Sequence, residues 1–194
     1  MWSIRRLLAA SLLAAFAAAD ALAGQPPVQA FANLPAMRDP ELSPDGRFLA
    51  AIQDMDGKPA VVVYTIGAPA GTKPTVLAYE GWIVWGAQWV SAERLMVIAG
   101  KGARLAGRGG DIWTVNRAII VSPDGGNAVR VFDNIDALRY NSSAAWVVDL
   151  SIEEPDHIYM PLLEDGAGSV VVNLFEIDVN TGKGKLFAAG ERDT

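Results

Sequence analysis

Short β-branched and aromatic runs, separated at regular intervals by turn residues, predict an all-β chain, and the repetition of the pattern predicts a partial β-propeller. A four-strand unit occurs three times, from Met37 to Glu80, from about Ile83 to Asp133 and from about Ala144 to Ala188. Its junctions carry turn sequences with a mechanism: Ser43-Pro44-Asp45-Gly46, Asp56-Gly57, Ser122-Pro123-Asp124-Gly125 and Asn180-Thr181-Gly182. In each, Pro pre-sets φ, Asp or Asn bonds to its own backbone, or Gly accepts positive φ. Closed propellers use at least about four such units. Three therefore predict an array whose first and last members lack a neighbour.

The chain opens on Met1-Trp2-Ser3-Ile4-Arg5-Arg6, an apolar run from Leu7 to Ala19, and Ala21-Leu22-Ala23. This basic, apolar, small-residue order predicts a secretory signal peptide over 1–23, with a signal anchor or a buried amphipathic helix as the alternatives. The apolar run is too short for the roughly 20 residues that span a bilayer. Cleavage after Ala23 removes Arg5, Arg6 and Asp20 and takes the net charge from −6 to −7. An acidic domain without basic clusters is a poor partner for nucleic acid or anionic membranes, so neither is expected after cleavage. The absence of cysteine excludes disulfides, thiolate metal sites and a lipoprotein anchor.

Residues 24–36 hold three prolines and no sustained period, and read as an extended lead-in. In the first unit, strands are expected from Met37 to the turn, over Arg47–Gln53, over Ala60–Ile66 and over Thr75–Tyr79. In the second they fall on Ile83–Val90, Arg94–Ala99, Trp113–Val121 and Ala128–Phe132. In the third they fall on Trp146–Ile152, His157–Leu163, Val170–Ile177 and Lys185–Ala188. Gly100 to Gly110 holds five glycines with Lys101, Arg104 and Arg108, and reads as a long solvated hairpin loop or, alternatively, a functional one.

Candidate chemistry is sparse. No Gly-x-Ser-x-Gly elbow is present, and the one histidine, His157, opens an apolar strand. The carboxylate pairs Asp54/Asp56, Asp133/Asp136 and Glu153/Glu154 lie beside turns, where local hydrogen bonding explains them. Asp54-Met55-Asp56-Gly57 lacks the later ligands of a calcium loop. Thr181-Gly182-Lys183-Gly184 lacks the first glycine and the final hydroxyl of a phosphate loop, and Gly100-x-Gly102 lacks the third glycine of a dinucleotide fingerprint. Trp82-Ile83-Val84-Trp85 reads as packing between neighbouring units, with stacking on a sugar or peptide as the alternative. No catalytic, cofactor or metal residue is assigned.

Leu42-Ser43-Pro44-Asp45-Gly46-Arg47-Phe48-Leu49-Ala50 resembles the WD40-like repeat in the amino-terminal propeller of prolyl-oligopeptidase-family serine peptidases, acylaminoacyl-peptidase-like members above all. It is also similar to the repeats of periplasmic TolB-like propellers. Trp89-Val90-Ser91-Ala92-Glu93-Arg94-Leu95 resembles a second blade common in exported bacterial peptidases of the first group, and Phe31-Ala32-Asn33-Leu34-Pro35 fits their lead-in. The first resemblance implies a non-catalytic, periplasmic or secreted portion of a peptidase. Such a portion gates peptide access to an α/β-hydrolase domain, and its partners are that domain and further blades. The second implies a propeller that docks a periplasmic protein. A third reading is a small all-β protein that closes by oligomerising.

Overall fold

The computed structural model describes residues 37–104, 109–151, 154–166 and 169–191. The signal-peptide and lead-in expectations lie outside these residues, as does Glu153. The described strands all belong to one compact unit, residues 36–194.

Sheet 1 holds β1 (Arg38–Leu42), β2 (Phe48–Met55), β3 (Lys58–Thr65) and β4 (Thr75–Leu77) in that order. Sheet 2 holds β5 (Ile83–Ser91), β6 (Arg94–Arg104), β7 (Ile112–Val121) and β8 (Val129–Arg130), with β9 (Ser143–Ala144) sharing the outer edge of β7. Sheet 3 holds β10 (Asp149–Leu150), β11 (His157–Gly166), β12 (Ser169–Asp178) and β13 (Gly184–Ala188). All pairings are antiparallel except β7 with β9. Besides strands, the chain forms a short 3-10 turn at Asp136–Tyr140.

Local chemistry accounts for the hairpins. Asp56 and Gly57 take φ of 55° and 80°, the left-handed pair that matches strand twist in a two-residue loop. The Gly57 N–H donates to Asp54 Oδ1 at 2.6 Å, so this carboxylate has a structural task. In the first Ser-Pro-Asp-Gly turn, Ser43 Oγ donates to Asp45 Oδ1 at 2.7 Å and accepts the Phe48 N–H at 3.0 Å.

The sheets stack face to face through two aliphatic cores. One joins Ala50, Ile52, Val61 and Val63 of sheet 1 to Leu95, Val97 and Val121 of sheet 2. The other joins Met96, Ala118 and Ile120 of sheet 2 to Ile158, Met160, Phe175 and Ile177 of sheet 3. Side chains alternate across a strand, so β6 and β7 supply both cores from opposite faces. Ala51, Ala60 and Val62, on the face of sheet 1 turned away from sheet 2, are also buried.

Several strands differ from their expected spans. β6 runs on to Arg104 and pairs with β7 down to Ile112, so most of the expected loop at 100–110 is hairpin, with 105–108 outside the described residues. β8 covers only Val129–Arg130, because Phe132 takes φ of 64° and turns into the core against Phe175, ring centroids 5.6 Å apart. Ala144 joins sheet 2 through β9, and β10 begins at Asp149, leaving Trp146 68% exposed.

Connector residues 131–148 are held by side-chain amides that imitate a strand. Asn141, buried, donates to the Leu163 carbonyl at 2.8 Å and accepts the Leu163 N–H at 2.9 Å. Asn134 does the same to Gly184, 2.8 Å in each direction. Each amide occupies an otherwise open strand edge.

Candidate functional site

Two residues of the Trp89–Leu95 segment clamp sheet 2 to its neighbours. Trp89, fully buried, donates from Nε1 to the Glu41 carbonyl and from its backbone N–H to the Glu41 carboxylate, each at 3.1 Å. Its ring stacks on Phe48 at 5.9 Å. Burial pushes the Glu41 carboxyl above its usual range, and the Trp89 N–H opposes the shift.

Arg94 reaches the other way, into the β12–β13 turn. Nε and Nη2 donate to the Val179 carbonyl at 3.0 and 2.9 Å. Nη2 also donates to the Asn127 carbonyl at 3.0 Å, and Nη1 to Ser122 Oγ at 3.2 Å. Burial lowers the affinity of this guanidinium for its proton, and Asp178 partly offsets the effect.

Above these clamps lies a cavity of about 840 Å³ at the end of the stack where the β5–β6, β7–β8 and β12–β13 turns converge. Phe48, Pro123 and Pro155 give it apolar flanks, and Glu93, Asp124 and Asp156 give it an acidic rim. Beside it, Arg47 donates to Glu93 of the rim at 2.8 Å and to the Asp45 carboxylate. That contact with Arg47, with help from Ser43, holds the Asp45 carboxyl down at about 2. The lining hydroxyls include Ser122 Oγ, committed to Arg94 and to Asn127 Nδ2 at 3.2 Å each. The arrangement offers carboxylates, amides and hydroxyls to a polar ligand, and its lining contains no imidazole.

The residues weighed from sequence fall elsewhere. His157 Nδ1 sits 3.3 Å from Glu154, at an angle that does not make a hydrogen bond. Asp133 pairs with Arg130 at 3.0 Å, and Asp136 opens the 3-10 turn. Gly182 packs against sheet 2, where a Cβ would lie 2.2 Å from the Arg130 carbonyl, and its own carbonyl accepts the Phe132 N–H at 2.9 Å. The Thr181–Gly184 turn is thus filled by protein contacts. Among the described residues, no group of three or more His, Asp or Glu side chains could hold a metal ion. No helix there is long and apolar enough to cross a membrane.

Sequence reasoning missed the cavity, because its walls come from turns far apart in the chain. It also missed the projecting end of sheet 2. There Lys101 Nζ lies 4.4 Å from the centre of the Trp82 ring, and Trp85 Nε1 donates to Asn116 Oδ1 at 3.1 Å. The signal was present as two separate stretches, a tryptophan pair and a glycine-rich run, that the β5–β6 pairing brings together.

No protein-family model matches the chain, and no curated protein matches it. Among solved structures it is similar to the apo form of the isopeptidase AtxE2, with a TM-score of 0.37 and 11% identity. The match covers 79% of this chain and 34% of that one, so the chain spans about a third of that structure. A likeness at that level equates neither fold nor activity.

Proposed function

We propose that this chain forms three consecutive blades of a β-propeller and serves as the non-catalytic, access-restricting portion of an exported prolyl-oligopeptidase-like serine peptidase. One observation carries the reading: the stacking positions repeat in register. Counting from the first residue of each second strand, positions two and four on are Ala50 and Ile52, Met96 and Ile98, and Tyr159 and Pro161. Their ladder partners are Val63 and Val61, Ile120 and Ala118, and Glu176 and Leu174. The first two sets are packed against the next sheet. The third faces outward beside Leu163, Val170 and Val172, which are 43%, 63% and 56% exposed. An exposed aliphatic patch of this kind calls for a further layer. The signal-like start and the Ser43–Gly46 turn support export and the peptidase kinship. The peptide and the hydrolase domain enter as the partners this reading requires.

The experiment is to recover the protein from the exported fraction of its host with antibodies raised to residues 37–191, then treat it with a fluorophosphonate probe. A labelled polypeptide substantially heavier than the 20.6 kDa chain is expected. An unlabelled polypeptide overturns the peptidase reading.

A further inference from the structure

The projecting end of sheet 2 carries a shallow trough on the face of β6 that holds Gly100 and Gly102. The register puts Gly100 opposite Asn116, and Gly102 opposite Thr114. The β5–β6 pairing skips Trp85, placing it at a bulge between Val84 and Gly86. A bulge re-aims its side chain. Here the indole is turned toward Gly100, since a Cβ on Gly100 would lie 3.4 Å from Trp85 Nε1. The bond from Nε1 to Asn116 Oδ1 fixes the ring, and Trp85 is still 46% exposed.

Glycine weakens a strand interior, and two on one face mark a place kept clear. Gly100 has a structural reason, because a Cβ there would come within 2.5 Å of Asn116 Oδ1 and break the Trp85–Asn116 contact. Among the described residues, a Cβ at Gly102 would meet only Ile112 Cγ2, at 3.3 Å. The far wall is Ile112, 73% exposed, and Thr114. The trough therefore presents a fixed aromatic plane, an apolar wall that includes the Thr114 methyl, 3.6 Å from a Cβ built on Gly100, and the Asn116 amide nitrogen.

We propose that this trough binds a neutral saccharide, one pyranose ring stacking on Trp85 with its hydroxyls meeting Asn116 Nδ2. The available chemistry selects this class. A peptide adding a strand would pair along the β6 edge beyond Gly100, where β5 ends, and would leave the indole face unused. A nucleic-acid base could stack on Trp85, but a chain of net charge −6 repels the phosphate backbone. A ring with an apolar face and a hydroxylated rim uses every group present. This site is separate from the sheet-3 face and does not depend on the peptidase reading.

The test uses the full mature chain and four probes, cellotetraose, chitotetraose, xylotetraose and maltotetraose, followed by NMR of the indole N–H signals. The expected result is saturable binding of at least one probe, with a Kd of about 0.1–1 mM and the Trp85 N–H shifting most. Trp85→Ala should weaken that binding at least about tenfold, and Gly100→Ala should weaken it while keeping the indole. Trp146→Ala, at an exposed tryptophan elsewhere, should leave it unchanged. Thermal melts show that each variant remains folded. Failure of all four sugars to saturate, or equal binding by Trp85→Ala, overturns the proposal.

Discussion

Arg94→Met is the most informative single change, because it removes a buried cation while keeping most of the side-chain volume. Four hydrogen bonds are lost, two of them to the carbonyl of Val179, which is fully buried. Asn127 is exposed and Ser122 half-buried, so water can replace the guanidinium there. Water cannot readily reach the Val179 carbonyl. An acceptor left unpaired in the interior costs about 1–3 kcal/mol, and hydrogen bonds from a charged donor contribute about 1.5–3 kcal/mol each. Removing a buried ion together with its partner can be neutral, but here the partner is backbone and remains. The expected loss is about 3 kcal/mol, or roughly 6–12 °C in melting temperature for a domain of this size. Urea unfolding of the protein measures it, with Arg94→Lys as a second variant that keeps the charge without the planar fork. A loss under about 0.5 kcal/mol for Arg94→Met would show that the sheet 2–sheet 3 contact does not depend on this clamp.

Gly182→Ala should destabilise by about 2–4 kcal/mol, since φ is +71° and the new Cβ would meet the Arg130 carbonyl at 2.2 Å. Gly71→Ala, with φ of +87° and open space, should cost about 1 kcal/mol by the same denaturation assay. Asn141→Ala should cost about 2–3 kcal/mol and accelerate amide exchange at Leu163, whose N–H loses its acceptor. The Asp45 carboxyl should titrate at about 2 by NMR. Its depressed value means that its contribution to stability is present above the ordinary value of about 3.9 and is lost as pH falls through about 2; Ser43→Ala should move the midpoint upward. The protein should self-associate in sedimentation velocity, and Val170→Thr with Val172→Thr, at 63% and 56% exposure, should shift it toward monomer. A monomer with a sharp, cooperative melt before any substitution counts against an open face.

The hairpins and middle strands are legible in the sequence because their signals are local. Asp56-Gly57 needs only its own two dihedrals, and β2, β3, β11 and β12 are rich in branched or aromatic residues. The expected second strand of sheet 2 stops short at Ala99 because glycine reads as a breaker. In the folded chain, Gly100 is required by Asn116, sixteen positions further on and adjacent only through the ladder. The outer strands depart from expectation for a similar reason. Phe132 and Ala144 are drawn out of the expected pattern by a core that includes residues of sheet 3. Arg94 is visible as part of a motif, but its partner Val179 is 85 residues away, and no periodicity points to a backbone carbonyl. The cavity and the trough share this property, since each joins segments that no local window contains.

Polar groups and aliphatic faces divide the work of assembly in this stack. Hydrophobic contact is non-directional, so alternating faces rich in Val, Ile and Ala specify that sheets pack without fixing the rotation or slide of one on the next. Direction comes from groups that must meet a particular atom. Trp89 Nε1 fixes sheet 2 against the Glu41 carbonyl of sheet 1. Arg94 fixes it against the Val179 carbonyl of sheet 3, and Asn134 ties the connector to Gly184 at the outer edge of that sheet. Each of these lies at the margin of an aliphatic core, so removing one should loosen a junction while leaving its sheets formed. On the far face of sheet 3, Tyr159 and Glu176 occupy the positions that Met96 and Ile120 hold on sheet 2, with the phenol donating to the carboxylate at 3.4 Å. Burial and the neighbouring Glu176 hold that phenol above its usual range, so it keeps its proton as a donor. A sheet that covered this face would meet an aliphatic patch at Leu163 and Val172 and a polar pair beside it, the same combination that orients the two junctions already formed.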